Sequence, residues 1–405
     1  MTDRSSVATA TRRARAAVAF LFFTNGAVFA NIVPRYPELK SRLELSNAAF
    51  GSTVAAWPLG ALLIGLSAGI LVRRWGSARV APATTIAMSA NLVFVGIAPS
   101  WWVLTCAMFI AGSLDAIADV CVNTHGLRVE RLYRRSILNS LHGVWSIGAV
   151  AGGIMGATAA GLRMPLVWHL STAAVVFTVG ALVASRFLLT GPDSTEVSAG
   201  PTSVGRPHPR LLASVGLLGV AAAMANVTED IGATWSSVYL SNDLHTGPAM
   251  AGTAFIALQA AQTVGRLFAD RVVTRFGDRA VARAGATTAG VAMTAALLLP
   301  NPVTTVVAFG LVGLGIATLM PATARAVDAL PGLPPGTGLT VIGSVDRLAL
   351  IAAAPLVGAL ADAYGLRVGL ALIPMAALTV LLLSTTLHNR DIETERHASE
   401  GIPSP

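Results

Sequence analysis

Residues 166–189 read LVWHLSTAAVVFTVGALVASRFLL, and no arginine, lysine or acid interrupts them before Arg186. A run of that length and apolarity spans the hydrocarbon of a bilayer as one helix. Similar runs recur from end to end of the 405-residue chain, which is 54% hydrophobic and 12% charged with a mean hydropathy of +0.67. A soluble domain carries about 25% charged residues, so this composition excludes an ordinary soluble enzyme, and it is too apolar for disorder. About twelve spans of roughly twenty residues occupy ~240 positions, which leaves short loops and no room for a large soluble domain. The expectation is an all-α membrane protein with twelve transmembrane helices in two pseudo-symmetric six-helix bundles.

The runs predict helices at 15–33, 48–72, 80–98, 101–123, 139–161, 166–189, 211–240, 248–269, 281–300, 303–324, 337–361 and 368–387. The longest connection, 190–209, is rich in Gly, Pro and Ser and reads as a cytoplasmic linker. It separates an N-terminal bundle (1–189) from a C-terminal bundle (210–389), with 390–405 as a cytoplasmic tail. The first apolar run lacks a cleavage-site pattern and is read as a retained helix.

The net charge of +8 is a signal of topology. No like-charge block or aromatic-basic patch points to nucleic acid. With both termini cytoplasmic, the face away from the cytoplasm receives only Arg35, Lys40, Arg42, Arg163 and Arg367. Arg266 and Arg347 stay inside helices, and the rest of the 28 Lys and Arg residues gather inside. That asymmetry orients a multi-pass protein of the inner (plasma) membrane. Cys106 and Cys121 share one helix, ~22 Å apart at 1.5 Å per residue, too far for a disulfide. There is no zinc or redox spacing.

The halves repeat weakly. Gly161-Leu162-Arg163 returns as Gly365-Leu366-Arg367, Asn25 as Asn226, and Arg73-Arg74-Trp75-Gly76 as Thr274-Arg275-Phe276-Gly277. Internal repeats of this kind are typical of secondary transporters, whose site lies between the repeats near mid-membrane.

Several motifs now bear on family. They are Asn25-Gly26, Pro34-Arg35-Tyr36-Pro37-Glu38-Leu39-Lys40, Asp119-Val120-Cys121-Val122-Asn123 and Ser140-Leu141-His142-Gly143-Val144-Trp145. Glu229, Trp235-Ser236-Ser237-Val238-Tyr239 and Gly265-Arg266-Leu267-Phe268-Ala269-Asp270-Arg271 complete the set. On these residues the chain resembles the major facilitator superfamily over nearly its whole length, and within it the branch of the rhizopine transport protein, related to fucose:proton symporters. It departs from that pattern at Arg73, Thr234, Asp115 and Asp346-Arg347. The resemblance implies a cavity lined by helices 1, 4, 7 and 10, which places Asn25, Asp115, Asp119, Asn226, Glu229 and Thr318 around it.

Charges inside a membrane are expensive and are functional hypotheses by default. The expected spans hold Asp115, Asp119, Glu229, Asp230, Arg266, Asp346 and Arg347. Asp115, Asp119 and Asn123 share one helical face by their i, i+4 spacing. Proton coupling is assigned to Asp119 and Glu229, because burial in a poorly hydrated cavity disfavours a charged carboxyl. The plainer alternative is a fixed ion pair or a helix-end hydrogen bond. Asp115 is the most central acid.

Substrate binding is assigned to Asn25, Asp115, Asn123, His142, Trp145, Asn226, Gln259, Gln262, Asp346 and Arg347. For His142 packing is an equal reading, for the glutamines interhelical bonding is, and for Arg347 structural pairing is preferred. Trp235 reads as an interfacial anchor because Tyr239 follows it. Arg266, Asp270 and Arg275 resemble the superfamily's gating motif. Gly148, Gly152, Gly153 and Gly156 read as close helix packing, not as a phosphate loop.

With no nucleotide motif, cofactor fingerprint, nucleophile or metal set, the chain is not read as an enzyme and needs no cofactor. The expected function is a secondary transporter moving a small polar solute, such as a sugar or sugar-like compound, by proton symport. Its partners are that solute, protons and the lipid bilayer, and it acts as a monomer. Proton-driven efflux of a metabolite or drug is the alternative within transport. A non-transporting receptor or interaction protein is the alternative of another class.

Overall fold

The computed structural model describes residues 2–133, 136–191, 193, 209–328, 330 and 337–387. Most of the expected linker, the expected tail, and Arg134, Arg135, Arg206, Arg390 and Arg396 lie outside the described residues. Among the described residues, twelve helices cross the molecule. They are α1 (Thr2–Ile32), α2 (Asn47–Trp75), α3 (Ser77–Ile97), α4 (Trp101–Tyr133), α5 (Leu138–Gly161) and α6 (Leu166–Ser185). The second half holds α7 (Pro209–Val238), α8 (Thr253–Phe276), α9 (Asp278–Leu298), α10 (Pro302–Asp328), α11 (Thr337–Tyr364) and α12 (Leu366–Thr386). Among the described residues, ten helices are long and apolar enough to cross a membrane. The other two, α7 and α8, are the ones carrying Glu229, Asp230, Gln259, Gln262 and Arg266.

The repeat read from sequence is a repeat of packing. α1–α5, α2–α4, α3–α4 and α3–α6 pack in the first half, and α7–α11, α8–α10, α9–α10 and α9–α12 pack in the second. α2 and α8 both stop at a glycine with nearly the same left-handed backbone, Gly76 (φ 81°) and Gly277 (φ 80°). A side chain there would be strained, so the matched loops place glycine where the turn needs it. α1 and α5 approach closely because Gly148 and Gly152 have no β-carbon to collide with the backbone of Phe23 and Ala27.

Three helices have bounds well away from those the sequence predicts, and α1 is one, beginning at Thr2 rather than 15. α4 continues past 123 to Tyr133, because its polar end needs only its own backbone bonds. The Glu130 carboxylate then accepts from the amides of Ile137 and Leu138 at 2.7 and 2.9 Å, capping the start of α5. α8 starts at Thr253, after a short separate turn at Pro248–Ala251. Arginines close helix C-termini, where free carbonyls carry negative charge. Arg42 donates to Gly96 and Ala98 at 2.7 and 3.1 Å, and Arg367 donates to Leu297 at 2.5 Å. Arg128 donates to the carbonyls of Leu189, Thr190 and Gly191.

The halves meet through α2–α11 and α5–α8. Their described contacts gather at the face opposite the arginine-rich one. There the Asp362 carboxylate at the end of α11 accepts from the amides of Asn47 and Ala48, each at 2.8 Å, at the start of α2. A β-carbon on Gly51 would collide with the Ala354 carbonyl, and one on Gly358 with that of Asn47. Ser237 donates to the Val33 carbonyl at 3.0 Å. Phe50 lies edge-on to Trp235, with ring centroids 5.4 Å apart, and Tyr36 packs on Phe50 at 5.3 Å. Trp235 is therefore no interfacial anchor. It is fully buried, because the turns after α1 and the top of α2 fold over it.

Candidate functional site

Beneath that aromatic seal is a cavity of ≈ 300 Å³ between the halves. The size suits a small molecule. From the first half its wall is largely apolar and aromatic, with Phe29, Tyr36, Trp57 and Trp145. From the second half it is polar, with Asn226, Glu229, Asp230, Thr234 and Gln259. Asp115 is the acid of the first wall. Phe29 and Trp57 meet edge to face at 5.1 Å, which fixes their rings.

Each half holds an acid with an amide. Asn25 on α1 donates to Asp115 at 2.8 Å and accepts from the Trp145 indole at 2.7 Å. Trp57 also directs its indole at the Asp115 carboxyl. In the second half Asn226 on α7 donates to Asp346 at 2.9 Å. Gln262 donates to Glu229 at 2.6 Å, and Arg266 stands 3.6 Å from the same carboxylate.

Of the expected binding residues, Asp115, Trp145, Asn226 and Gln259 line the cavity, with Glu229 from the proton-coupling pair. Asn25, Gln262 and Asp346 lie one bond behind that wall. Asp119, Asn123 and His142 form a separate string further toward the arginine-rich face. Asn123 donates to Asp119 at 2.9 Å, and its carbonyl oxygen lies 3.1 Å from the His142 ring. Asp119, His142 and Arg347 are exposed. Arg266 reaches Glu229, not Asp270. Asp270 and Arg275 lie at the exposed end of α8, with Arg275 over the Phe276 ring at 5.4 Å.

The expected share of α10 is a correction, since neither Thr318 nor any other α10 residue is in the wall. Closure along α2–α11 and α5–α8 brings those helices to the cavity instead, through Val54, Trp57, Pro58, Trp145, Gln259 and Leu350.

Sequence reasoning missed Tyr36, Trp57, Asp230 and Thr234 as site residues. Asp230 was visible as an intramembrane charge and Thr234 as a departure from the branch pattern. Trp57 left no signal, because one tryptophan in an apolar helix reads equally as core or lipid contact. Among the described residues no cluster of His, Cys, Asp and Glu is disposed to hold a metal.

Comparison with known proteins agrees with this architecture. Residues 211–403 match the Major Facilitator Superfamily. The chain is 29% identical to the uncharacterized transporter y4wD of Sinorhizobium fredii, over 91% of this chain and 97% of that protein. It is 27% identical to the membrane protein MosC of Rhizobium meliloti, over 96% and 92%. In fold it is similar to the nucleoside transporter NupG, with a TM-score of 0.71 at 13% identity covering 91% and 96% of the two chains. It is also similar to a bacterial homolog of the human lysosomal transporter Spinster in an inward-facing, unoccupied conformation, with a TM-score of 0.74 at 14% identity covering 93% and 97%.

Proposed function

We propose that this chain is a transporter of the Major Facilitator Superfamily, whose description matches residues 211–403, and that it moves a small polar solute across the membrane by alternating access and couples that movement to protons. The observation that carries the reading is the cavity between the halves, sealed on one side by Phe50, Trp235 and the Asp362 bonds. A solute held there has left one face and not yet reached the other. With the arginine-rich face cytoplasmic by the positive-inside rule, the described state is inward-facing, in a plasma membrane, with both termini inside. The six-helix halves 1–189 and 210–389 are the moving bodies, and one chain holds a complete cavity, as a monomer requires.

Asp119 and Glu229 are the coupling acids of this reading. Glu229 faces the cavity and shares its charge with Arg266 and Gln262. Asp119 lies on the exposed path toward the arginine-rich face. The flat faces of Trp57 and Trp145 suit a ring, including the apolar face of a sugar.

Counterflow and pH-driven uptake in proteoliposomes test the proposal. Asp119→Asn and Glu229→Gln are expected to keep counterflow while losing acceleration by an inward proton gradient. Proton-driven uptake that survives both changes would refute the coupling assignment. Absence of counterflow for every solute that binds would refute transport.

A further inference from the structure

Three side chains in the cavity wall expose little of their surface as a whole, form no side-chain hydrogen bond among the described residues, and keep their polar atoms open to the cavity. They are Tyr36 (1% exposed), Thr234 (2%) and Gln259 (3%). Polar groups that form no bond within the protein and converge on one cavity are those a ligand would engage. Asp230 stands among them with neither an ion pair nor a hydrogen bond to any described residue.

Charge narrows the class. The wall contains Asp115, Glu229 and Asp230 and no Lys, Arg or His. Asp115 is held by Asn25, and Glu229 by Gln262 and Arg266. Asp230 is the carboxylate left over. An isolated buried carboxylate is costly unless a cation or proton joins it. Asp230 and Thr234 are four residues apart on α7 and so share a face, and Gln259 comes to the same wall from α8. These groups supply a carboxylate, a hydroxyl oxygen and an amide oxygen, three acceptors for three ammonium hydrogens. Across the cavity the rings of Phe29, Tyr36, Trp57 and Trp145 offer π faces, which attract a cation and cover an apolar body.

We propose that the solute taken by this cavity is an organic ammonium ion with a small apolar body. The ammonium group sits on the Asp230, Thr234 and Gln259 wall, and the body sits against Trp57 and Trp145. The proposal rests on the reading of the cavity as the transport site and adds the chemical class. A polyol without charge would satisfy the hydroxyls and the amide but leave Asp230 unmatched. A carboxylate solute would meet three acids.

Direct binding to the purified full chain tests this, separately from transport. The probes are 2-phenylethylammonium, 2-phenylethanol and phenylacetate, which share a body and carry positive, zero and negative charge. Calorimetry at neutral pH is expected to show the ammonium binding about tenfold or more tighter than the alcohol, with phenylacetate weakest. Asp230→Asn is expected to erase that preference. Thr234→Val, which keeps the charge, is expected to reduce it severalfold and serves if the Asp230 variant fails to fold. The proposal is overturned if the alcohol or the carboxylate binds as well as the ammonium, if none of the three binds, or if a folded Asp230→Asn protein keeps the preference. Ammonium binding without counterflow would sink the transport reading and leave this one standing.

Discussion

Replacing Asp362 with alanine is expected to open the sealed face. Its carboxylate accepts two amide hydrogen bonds, each of 2.8 Å, from Asn47 and Ala48. These are free donors of the first turn of α2, and the carboxylate comes from the other half of the molecule. A capping side chain at a helix N-terminus contributes about 0.5–2 kcal/mol, and the helix dipole adds about 0.3–1 kcal/mol for a negative charge. Asp362 is exposed, so solvent screening holds the total near the middle of the first range. That is about 1.4 kcal/mol, or about tenfold in the ratio of closed to open forms. α2 itself does not unravel when Asp362 is lost, because Ser46 in its own chain segment caps Ala49 at 3.1 Å. The loss therefore falls on the contact between halves. The assay places a cysteine at Thr234, a wall residue of the cavity, in a chain whose exposed Cys106 is serine. An impermeant maleimide is added from the sealed side. Its labelling rate is expected to rise about tenfold in Asp362→Ala, and less in Asp362→Asn, since asparagine also caps. An unchanged rate in the alanine variant would mean that these bonds do not hold the face shut.

Gly51→Leu is expected to act in the same direction by sterics, because a β-carbon there already meets the Ala354 carbonyl. α2 cannot then close on α11, so the Thr234 cysteine should label from the sealed side and counterflow should fall, and normal counterflow would contradict the packing argument. Asn25→Ala removes the donor to Asp115 and the acceptor of the Trp145 indole. An unmatched buried polar group costs about 1–3 kcal/mol, so the thermal midpoint of the purified chain should drop, and a midpoint equal to the parent's would show that water replaces the amide without loss.

The spans were legible because a bilayer demands about twenty apolar residues per helix, and residues 166–189 meet that demand without any tertiary information. Loop glycines were legible for a related reason, since Gly76 and Gly277 occupy matching turns and share one backbone conformation. Side-chain destinations were not. Trp235 precedes Ser-Ser-Val-Tyr near a helix end, which is the local pattern of an interfacial belt, and only Phe50 from another helix explains its burial. Glu229 and Asp230 are adjacent, and the sequence could not tell how far each faces inward, yet both reach the cavity. The wall also depended on which helices close on one another. Assigning it to α10 assumed a cavity symmetric about the bundle, whereas closure at one face brings α2, α5, α8 and α11 across it.

The polar contacts sort into two sets that do different work. Asn25–Asp115, Asn226–Asp346 and Glu229 with Gln262 and Arg266 each lie within one half. A rocking motion of one half against the other leaves all of them intact. Asp362 with Asn47 and Ala48, Ser237 with Val33, and Phe50 against Trp235 each join the halves. The same motion must break every one of these. Substitutions in the first set should change what the cavity holds, and substitutions in the second should change which face is open. The weak repeat fits this division. It keeps an asparagine on the first helix of each half, but its acid partner comes from α4 in one half and α11 in the other. Each half can thus alter its own share of the chemistry without disturbing the surfaces along which the two halves meet.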